Sequence, residues 1–392
     1  MFKIYFQNSD GEFRILDNAT NSIITSKYQP KDINAFALFK GYDTTDDGLR
    51  KYNEDFNTWC TELKNNPFLS IVYSKYFSHH SAVEMTFKRL CKGKYESHDS
   101  ITAIEGKWSD MCNNGGLMYC DKGIHESFGY DGKNFYASIL GSDDFKFPSK
   151  QGNEINLTEL PANFDELKYG YYKVSITSQD EHFKKVFAFS QHHVYTNTSL
   201  KQAKKFQKHF NVNIKLFQNG KPNAYIYSDD CIVSSSCIFG KWYRVLNQVK
   251  HMYPKNKLIK HLQSSLWGHI SRASRINKTY EEIQKEGLII GRTDKADYLI
   301  EDHLMFNDKE YYILIDRLNP YKYNLRLKSF VTAFGRNIMS QVAMLSLDNV
   351  VRIQTDGVVF KKTVHMTDTT FVPEAKTTGL INWYHVNKGV HV

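Results

Sequence analysis

The sequence predicts an α+β fold of two or three subdomains, and three observations predict it. A chain of 392 residues exceeds the size at which one hydrophobic core is comfortable. Its clearest strand signal is a hairpin, the apolar runs VVRI and VVF on either side of Gln354-Thr355-Asp356-Gly357, with a further strand-like run, FGYD, ending at Asp131. Helical periodicity lies elsewhere, in residues 200–210, 243–272 and 329–345.

In chain order, residues 1–6 and 68–73 read as short strands and residues 82–91 as a helix. Asp10-Gly11-Glu12 follows Asn8-Ser9 and surrounds a glycine, so it reads as a turn between two strands. Residues 118–140 read as strand, turn, strand around YDGKNFYASIL. Residues 144–230 are polar and irregular, with a strand at 173–177 and a helix at 200–210 whose pattern LKQAKKFQKHF has one apolar edge and a basic face. A helical zone, 243–272, is interrupted near Pro254. The helix at 329–345 leads into the hairpin whose tip presents Asp356, and residues 371–392 read as strand and loop.

Composition narrows the class. A hydrophobic fraction of 41% with 24% charged residues is that of a globular protein, and no run is long enough to cross a bilayer. The first residues, MFKIYFQNSDGEF, lack the basic-then-apolar layout of a signal peptide, so an intracellular location is expected. Six scattered cysteines form neither a CxxC pair nor a finger-like Cys/His spacing and read as reduced thiols. His79-His80 and His192-His193 lack partners at helical spacing and are assigned no metal. The formal charge of +9 favours a polyanionic partner. Lysine and arginine concentrate in 201–208, 241–260 and 322–336, interleaved with Phe206, Phe210, Trp242, Tyr243 and Tyr253, a mixture suited to phosphate contact and base stacking.

Two aspartates carry the candidate chemistry. Joining a hydroxyl to an α-phosphate builds charge on the attacking and leaving oxygens. Two Mg²⁺ ions held by ionised carboxylates on adjacent strands answer that need, with Mn²⁺ a substitute. Asp131 closes one strand and Asp356 tips the hairpin expected beside it. Taken singly, each reads first as a turn residue or helix cap. On the 243–272 helix, Lys260, Ser264 and Gly268 recur at i, i+4 and i+8, giving one face a cation, a small hydroxyl and a bare backbone patch, opposite Leu258, Leu262 and Leu266.

Three segments in order resemble the motifs of family B DNA polymerases. Asp131-Gly132-Lys133-Asn134-Phe135-Tyr136-Ala137-Ser138 resembles motif A, DxxSLYPS, keeping its aspartate and tyrosine. The segment from Lys260 through Ser264, Ser265 and Trp267 to Gly268 resembles motif B, KxxxNSxYG. Gln354-Thr355-Asp356-Gly357 resembles motif C, DTDS, keeping the second aspartate. Flanking segments fit the same order. Asn114-Gly115-Gly116 resembles the YxGG-type turn of protein-primed members, which contacts the template strand. Residues 329–336 resemble the helix before motif C, and Glu374-Ala375-Lys376 resembles the lysine motif that meets the primer terminus.

The resemblance implies an α+β right-hand polymerase with an antiparallel-sheet palm, helical fingers and a reduced or absent thumb. It divides the chain into an N-terminal region (1–100) without a recognisable exonuclease, a first palm part (101–143), an inserted subdomain (144–230), fingers with motif B (231–275), and a second palm part with a short C-terminal segment (276–392). It implies Asp131 and Asp356 as catalytic metal ligands. Tyr136, Lys257, Lys260, Ser264 and Gly268 are the implied nucleotide contacts, and Gly115, Gly116, Arg336, Thr355, Trp267 and Lys376 the implied template and primer contacts. DNA primer-template and dNTPs are the implied partners. The insertion resembles the one with which protein-primed members grip a terminal priming protein, and a separate chain is expected to supply exonuclease or thumb. The expected setting is the cytoplasm or the replication site of a virus or mobile element. Gln354 stands where the family has an acid. That departure, with only 36 residues after Asp356, keeps open an inactive polymerase-like scaffold subunit, and the basic stretches keep open a plain single-strand-binding protein.

Overall fold

The computed structural model describes residues 3–30, 35–38, 41–70, 79–293, 295–306, 309–366 and 371–391. The chain divides into two units, Met1–Lys92 with Lys241–His269, and Gly93–Gly240 with Ile270–Val392.

In the first unit, the strands Ser22–Ser26, Phe13–Asp17, Lys3–Gln7 and Ala35–Ala37 form a sheet in that order. The Asp10-Gly11-Glu12 segment is the turn between the first two strands in sequence, closed by the Asn8 N–H donating to the Glu12 carbonyl at 2.8 Å, with Gly11 at φ +81°. The helix Asp46–Asn65 packs on this sheet. It buries Leu49, Tyr52, Phe56, Trp59 and Leu63 along one stripe. The Thr45 hydroxyl caps its N-terminus by accepting from Gly48 N–H.

The strand expected at 68–73 is not formed over 68–70, which are turn and coil. The Asn66 side-chain oxygen accepts from the N–H groups of Phe68 and Leu69 and curls the chain after the helix. Residues 71–73 lie outside the described ones. The helix His79–Cys91 follows. The expected break near Pro254 falls between Met252 and Lys257. There Asn256 accepts from Leu258 N–H, opening the helix Lys257–Ile270, and donates to the Trp59 carbonyl and to Glu62.

The second unit is built on a six-stranded sheet with strand order Lys388–His391, Pro373–His385, Gly123–Gly132, Gly357–Phe360, Val350–Gln354, Met118–Cys120. All its neighbours pair antiparallel. On Pro373–His385 the register shifts between Ala375 and Thr377, leaving Lys376 as a bulge opposite Gly123–Gly132.

The sequence read a second strand after Asp131, but the chain forms the helix Phe135–Gly141. Asn134 takes a left-handed turn at φ +51°, after which Phe135, Tyr136, Ile139 and Leu140 are buried at helical spacing. The helix Lys328–Met344 packs on it and on Phe183–Val186 and Asn197–Phe206. Gly335 permits the approach, since a Cβ there would lie 3.1 Å from the rings of both Phe135 and Tyr136.

Residues 153–226 form a second sheet in the order Val194–Thr196, Gly170–Ser178, Ala224–Ile226, Asn153–Ile155, with Val212–Leu216 also paired to Gly170–Ser178. The pair Lys146–Pro148 and Ile232–Ser234 joins the two ends of this region. Residues 275–316, assigned by sequence to the same part as the hairpin, make a sheet of their own in the order Arg275–Thr279, Lys309–Asp316, Tyr298–Phe306, Ile290–Gly291. A buried ion pair sits among the elements of this unit. The Arg326 guanidinium donates to both Glu105 oxygens at 2.5 and 2.9 Å, and Tyr227 donates to the same carboxylate at 2.7 Å.

Candidate active site

Strand register brings the two aspartates together. Asp131 pairs with Gly357, the residue after Asp356, and the Gly132 N–H donates to the Asp356 carbonyl at 2.7 Å. Met118, Gln354, Gly357, Asp131 and Glu374 form one cross-strand row, and directly paired residues share a face of the sheet. The Asp131 carboxylate lies over Gly357, where a Cβ would fall 2.6 Å from Oδ1. Gly132 is equally constrained, because a Cβ there would meet the rings of Phe135 and Phe371 at 2.7 and 2.9 Å. Gly357 thus leaves room for the Asp131 carboxylate, and Gly132 leaves room for the two rings beside it.

The hairpin tip turns tightly, with Thr355 at φ +59°. Its N–H donates to the Leu117 carbonyl at 3.0 Å, and Gly116 packs so closely that a Cβ on it would lie 2.8 Å from Thr355 Cα. Gly116, with Gly115 beside it in the chain, and Thr355 therefore meet at one place.

Arg336 departs from its expected role as a direct DNA contact. It is 4% exposed, and its guanidinium donates to the carbonyls of Asn114 and Gly115 at 2.9 and 2.7 Å. The side chain holds the glycine turn from beneath, and burial pulls its pKa down. Tyr136 is buried edge-on to Phe135 at 5.2 Å. Its phenol is pushed up to about 12 by burial, with Arg336 opposing and Asp356 adding to the shift. It is a neutral hydroxyl at ordinary pH, within the field of both charges.

Lys376 pairs with Glu374 at 2.8 Å. Gln354, in place of an acid, donates to the Asn387 side chain at 2.6 Å. Arg352 lies 4.8 Å over Trp383. Its pKa is lowered by burial and partly restored by Cys120 and Asp131.

The other predicted nucleotide residues belong to the first unit. On Lys257–Ile270, Lys260 and Ser264 are exposed, Gly268 is half-buried, and Leu258, Leu262 and Leu266 are buried. The i, i+4, i+8 face exists as the spacing predicts, and a Cβ on Gly268 would meet nothing within 4 Å. Trp267 is half-buried beside it. Lys257 has a different engagement, its ammonium 4.3 Å over the Tyr42 ring at a cavity shared with Asp43, Asp47, Asp55 and Trp59.

The donor set fits a hard divalent cation such as Mg²⁺, which takes one or two carboxylates and completes its shell with water and substrate phosphate oxygens. Among the described residues no group of three His, Cys, Asp or Glu side chains converges on a metal position. Sequence reasoning missed two participants. Glu374 faces Asp131 across the ladder, and Gly357 forms the seat beneath it. The Asp-Gly repeat was the available signal for the second.

Antiparallel sheets, hairpin tip and flanking helices define a mixed α+β fold. Among solved structures, the fold is similar to that of Phi29 DNA polymerase. The structure complexed with single-stranded DNA matches at TM-score 0.50 and 12% identity, over 82% of this chain and 52% of that one. The post-translocation binary complex with primer-template DNA matches at 0.50 and 11%, over 87% and 57%. The chain thus spans just over half the length of the structures it matches. No family model matches the chain, and no curated protein matches it. At this identity the likeness is one of fold. No helix among the described residues is long and apolar enough to cross a membrane.

Proposed function

We propose that this chain is a template-directed DNA polymerase that adds dNTPs to a primer 3′-hydroxyl. The observation that carries the reading is the register placing Asp131 against Gly357, so that two carboxylates from distant parts of the sequence share one strand end. A polymerase fold, with matched structures complexed with single-stranded and primer-template DNA, supports it. Bound divalent cations would supply charge stabilisation at the reacting phosphate and activate the attacking hydroxyl. Asp131 and Asp356 would hold Mg²⁺ or Mn²⁺, and the Gly132 N–H ties the backbone of Asp356 to the strand that carries Asp131. Tyr136 borders the site as a neutral phenol and is the residue expected to meet the sugar. Lys260, Ser264 and Gly268 present a face suited to a triphosphate and a flat base. Gly115, Gly116 and Thr355 form the candidate strand contact, and Lys376 the candidate primer contact.

The preferred subtype is protein-primed, with a terminal protein supplying the hydroxyl and residues 144–230 its docking region. A second reading, an inactive scaffold subunit of a replication complex, draws on Gln354, whose amide is already committed to Asn387.

Primer extension with Mg²⁺ separates the two readings. Wild type extends a primed template, and Asp131→Asn or Asp356→Asn lowers incorporation about 10²- to 10³-fold or more, the scale of losing a preorganised electrostatic group. DNA retention stays near wild type, because each change removes charge at a strand end without unpacking a core. Undiminished incorporation by Asp356→Asn would falsify the mechanism, and an inert wild type with intact DNA binding supports the scaffold.

A further inference from the structure

The helix Asn197–Phe206 carries a surface that the aspartate site does not use. Leu200, Ala203 and Phe206 are buried, and the helix packs against Gly170–Ser178 and Lys328–Met344. Away from this contact stand Lys201, Lys204, Lys205 and, in the turn that follows, Lys208. Their spacing of i, i+3, i+4 and i+7 is that of a single helical stripe. With residues 162–165 they border a cavity of about 330 Å³.

The Lys201 ammonium donates to the Asp165 carbonyl at 3.0 Å, and that of Lys204 lies 5.1 Å over the Phe164 ring. Asp165 is the acidic residue of the cavity wall. Among the described residues no carboxylate comes within 4.0 Å of any of the four ammoniums. Like charges at these spacings repel, so the stripe lacks its counter-ion among the described residues.

We infer that this stripe is a nucleic-acid contact that grips the phosphodiester backbone of DNA, separate from the strand contact at Gly115 and Gly116. The surroundings favour regular phosphates over an acidic protein. Beside the lysines stand exposed Gln207 and His209, with Asn163 and Asp165 on the cavity wall, and residues 197–210 expose no large apolar side chain that would anchor a protein on this stripe. Lysine acts on phosphate as a point charge without base readout, so the contact is independent of sequence.

The test combines Lys201→Gln, Lys204→Gln, Lys205→Gln and Lys208→Gln in the full chain, beside a counterpart with all four changed to Arg. Affinity for a labelled DNA duplex is measured across a salt series, with thermal unfolding as the check on folding. The Gln variant should lower the log–log salt slope by about 0.9 for each lost phosphate contact and weaken binding about tenfold or more near 0.1 M salt, and the Arg variant should keep the wild-type slope. An unchanged slope in the Gln variant overturns the proposal, as does a wild type that does not bind duplex. Loss of polyglutamate binding with DNA binding intact also overturns it, and assigns the surface to an acidic protein. Incorporation at saturating primer-template should match wild type in the Gln variant, so this proposal and the aspartate mechanism fail independently.

Discussion

Arg336 spends a buried guanidinium on two peptide carbonyls, and peptide geometry says what that achieves. In a trans peptide the C=O and the following N–H point in opposite directions. Drawing the carbonyls of Asn114 and Gly115 inward therefore turns the N–H groups of Gly115 and Gly116 away from the guanidinium, and neither meets a backbone acceptor among the described residues. Two adjacent free N–H groups suit an anion. Arg336→Met should weaken primer-template binding about tenfold, in the range of losing a charge-assisted hydrogen bond. The salt slope should hold, whereas a direct phosphate contact would lower it by about 0.9. Gly268 offers a second residue-level test. A methyl group there meets nothing, so Gly268→Ala should stabilise its helix by about 0.5–1 kcal/mol. If the bare backbone receives a nucleotide, the melting temperature rises while KM for dNTP also rises. An unaltered KM removes Gly268 from the nucleotide contacts.

Elements of the second unit are tied by the Glu105–Arg326 pair, both partners at 0% exposure. It joins the helix Ala103–Met111 to Tyr227 and to the chain before Lys328–Met344. Breaking a buried pair on one side leaves the other charge stranded, at a cost of about 3–5 kcal/mol. Arg326→Met and Glu105→Gln should each lose that much in denaturant unfolding, and the double variant should lose less than the sum. Additive losses would show the pair to be uncoupled.

At this scale the sequence spoke clearly where one period held. The hairpin, the helix Lys328–Met344 and the break at Pro254 follow from alternation, apolar stripes and proline. The helix after Asp131 was misread because FYASIL is rich in strand formers and its helicity comes from packing against Gly335. The sheet of residues 275–316 gave no reading, since NKT and YYILID alternate weakly.

Across the whole molecule, the pairing of Asp131 with the hairpin was legible because each aspartate ends an apolar run. The burial of Arg336 was not, for its partners lie more than 220 residues away in sequence. The same holds for Lys257, whose Tyr42 contact no local pattern announces. A likeness in fold to Phi29 DNA polymerase at 12% identity fits this division, because strand register and burial survive substitution better than individual contacts do.

The bulge at Lys376 has a meaning for chain length as distinct from composition. Strand faces alternate with period two, so one extra residue reverses the parity of everything beyond it. Glu374 stands opposite Asp131 while Thr378 to Trp383 stay in step with Phe128 to Gly123 only because Lys376 is left out of the ladder. Deleting Lys376 would close the ladder with both alignments kept, the acid beside Asp131 and the buried Ile381 and Trp383 in place, whereas any further added residue would have to be bulged out in its turn. Along this strand, substitutions are local events, whereas insertions and deletions on the two sides of residue 376 are read in different frames.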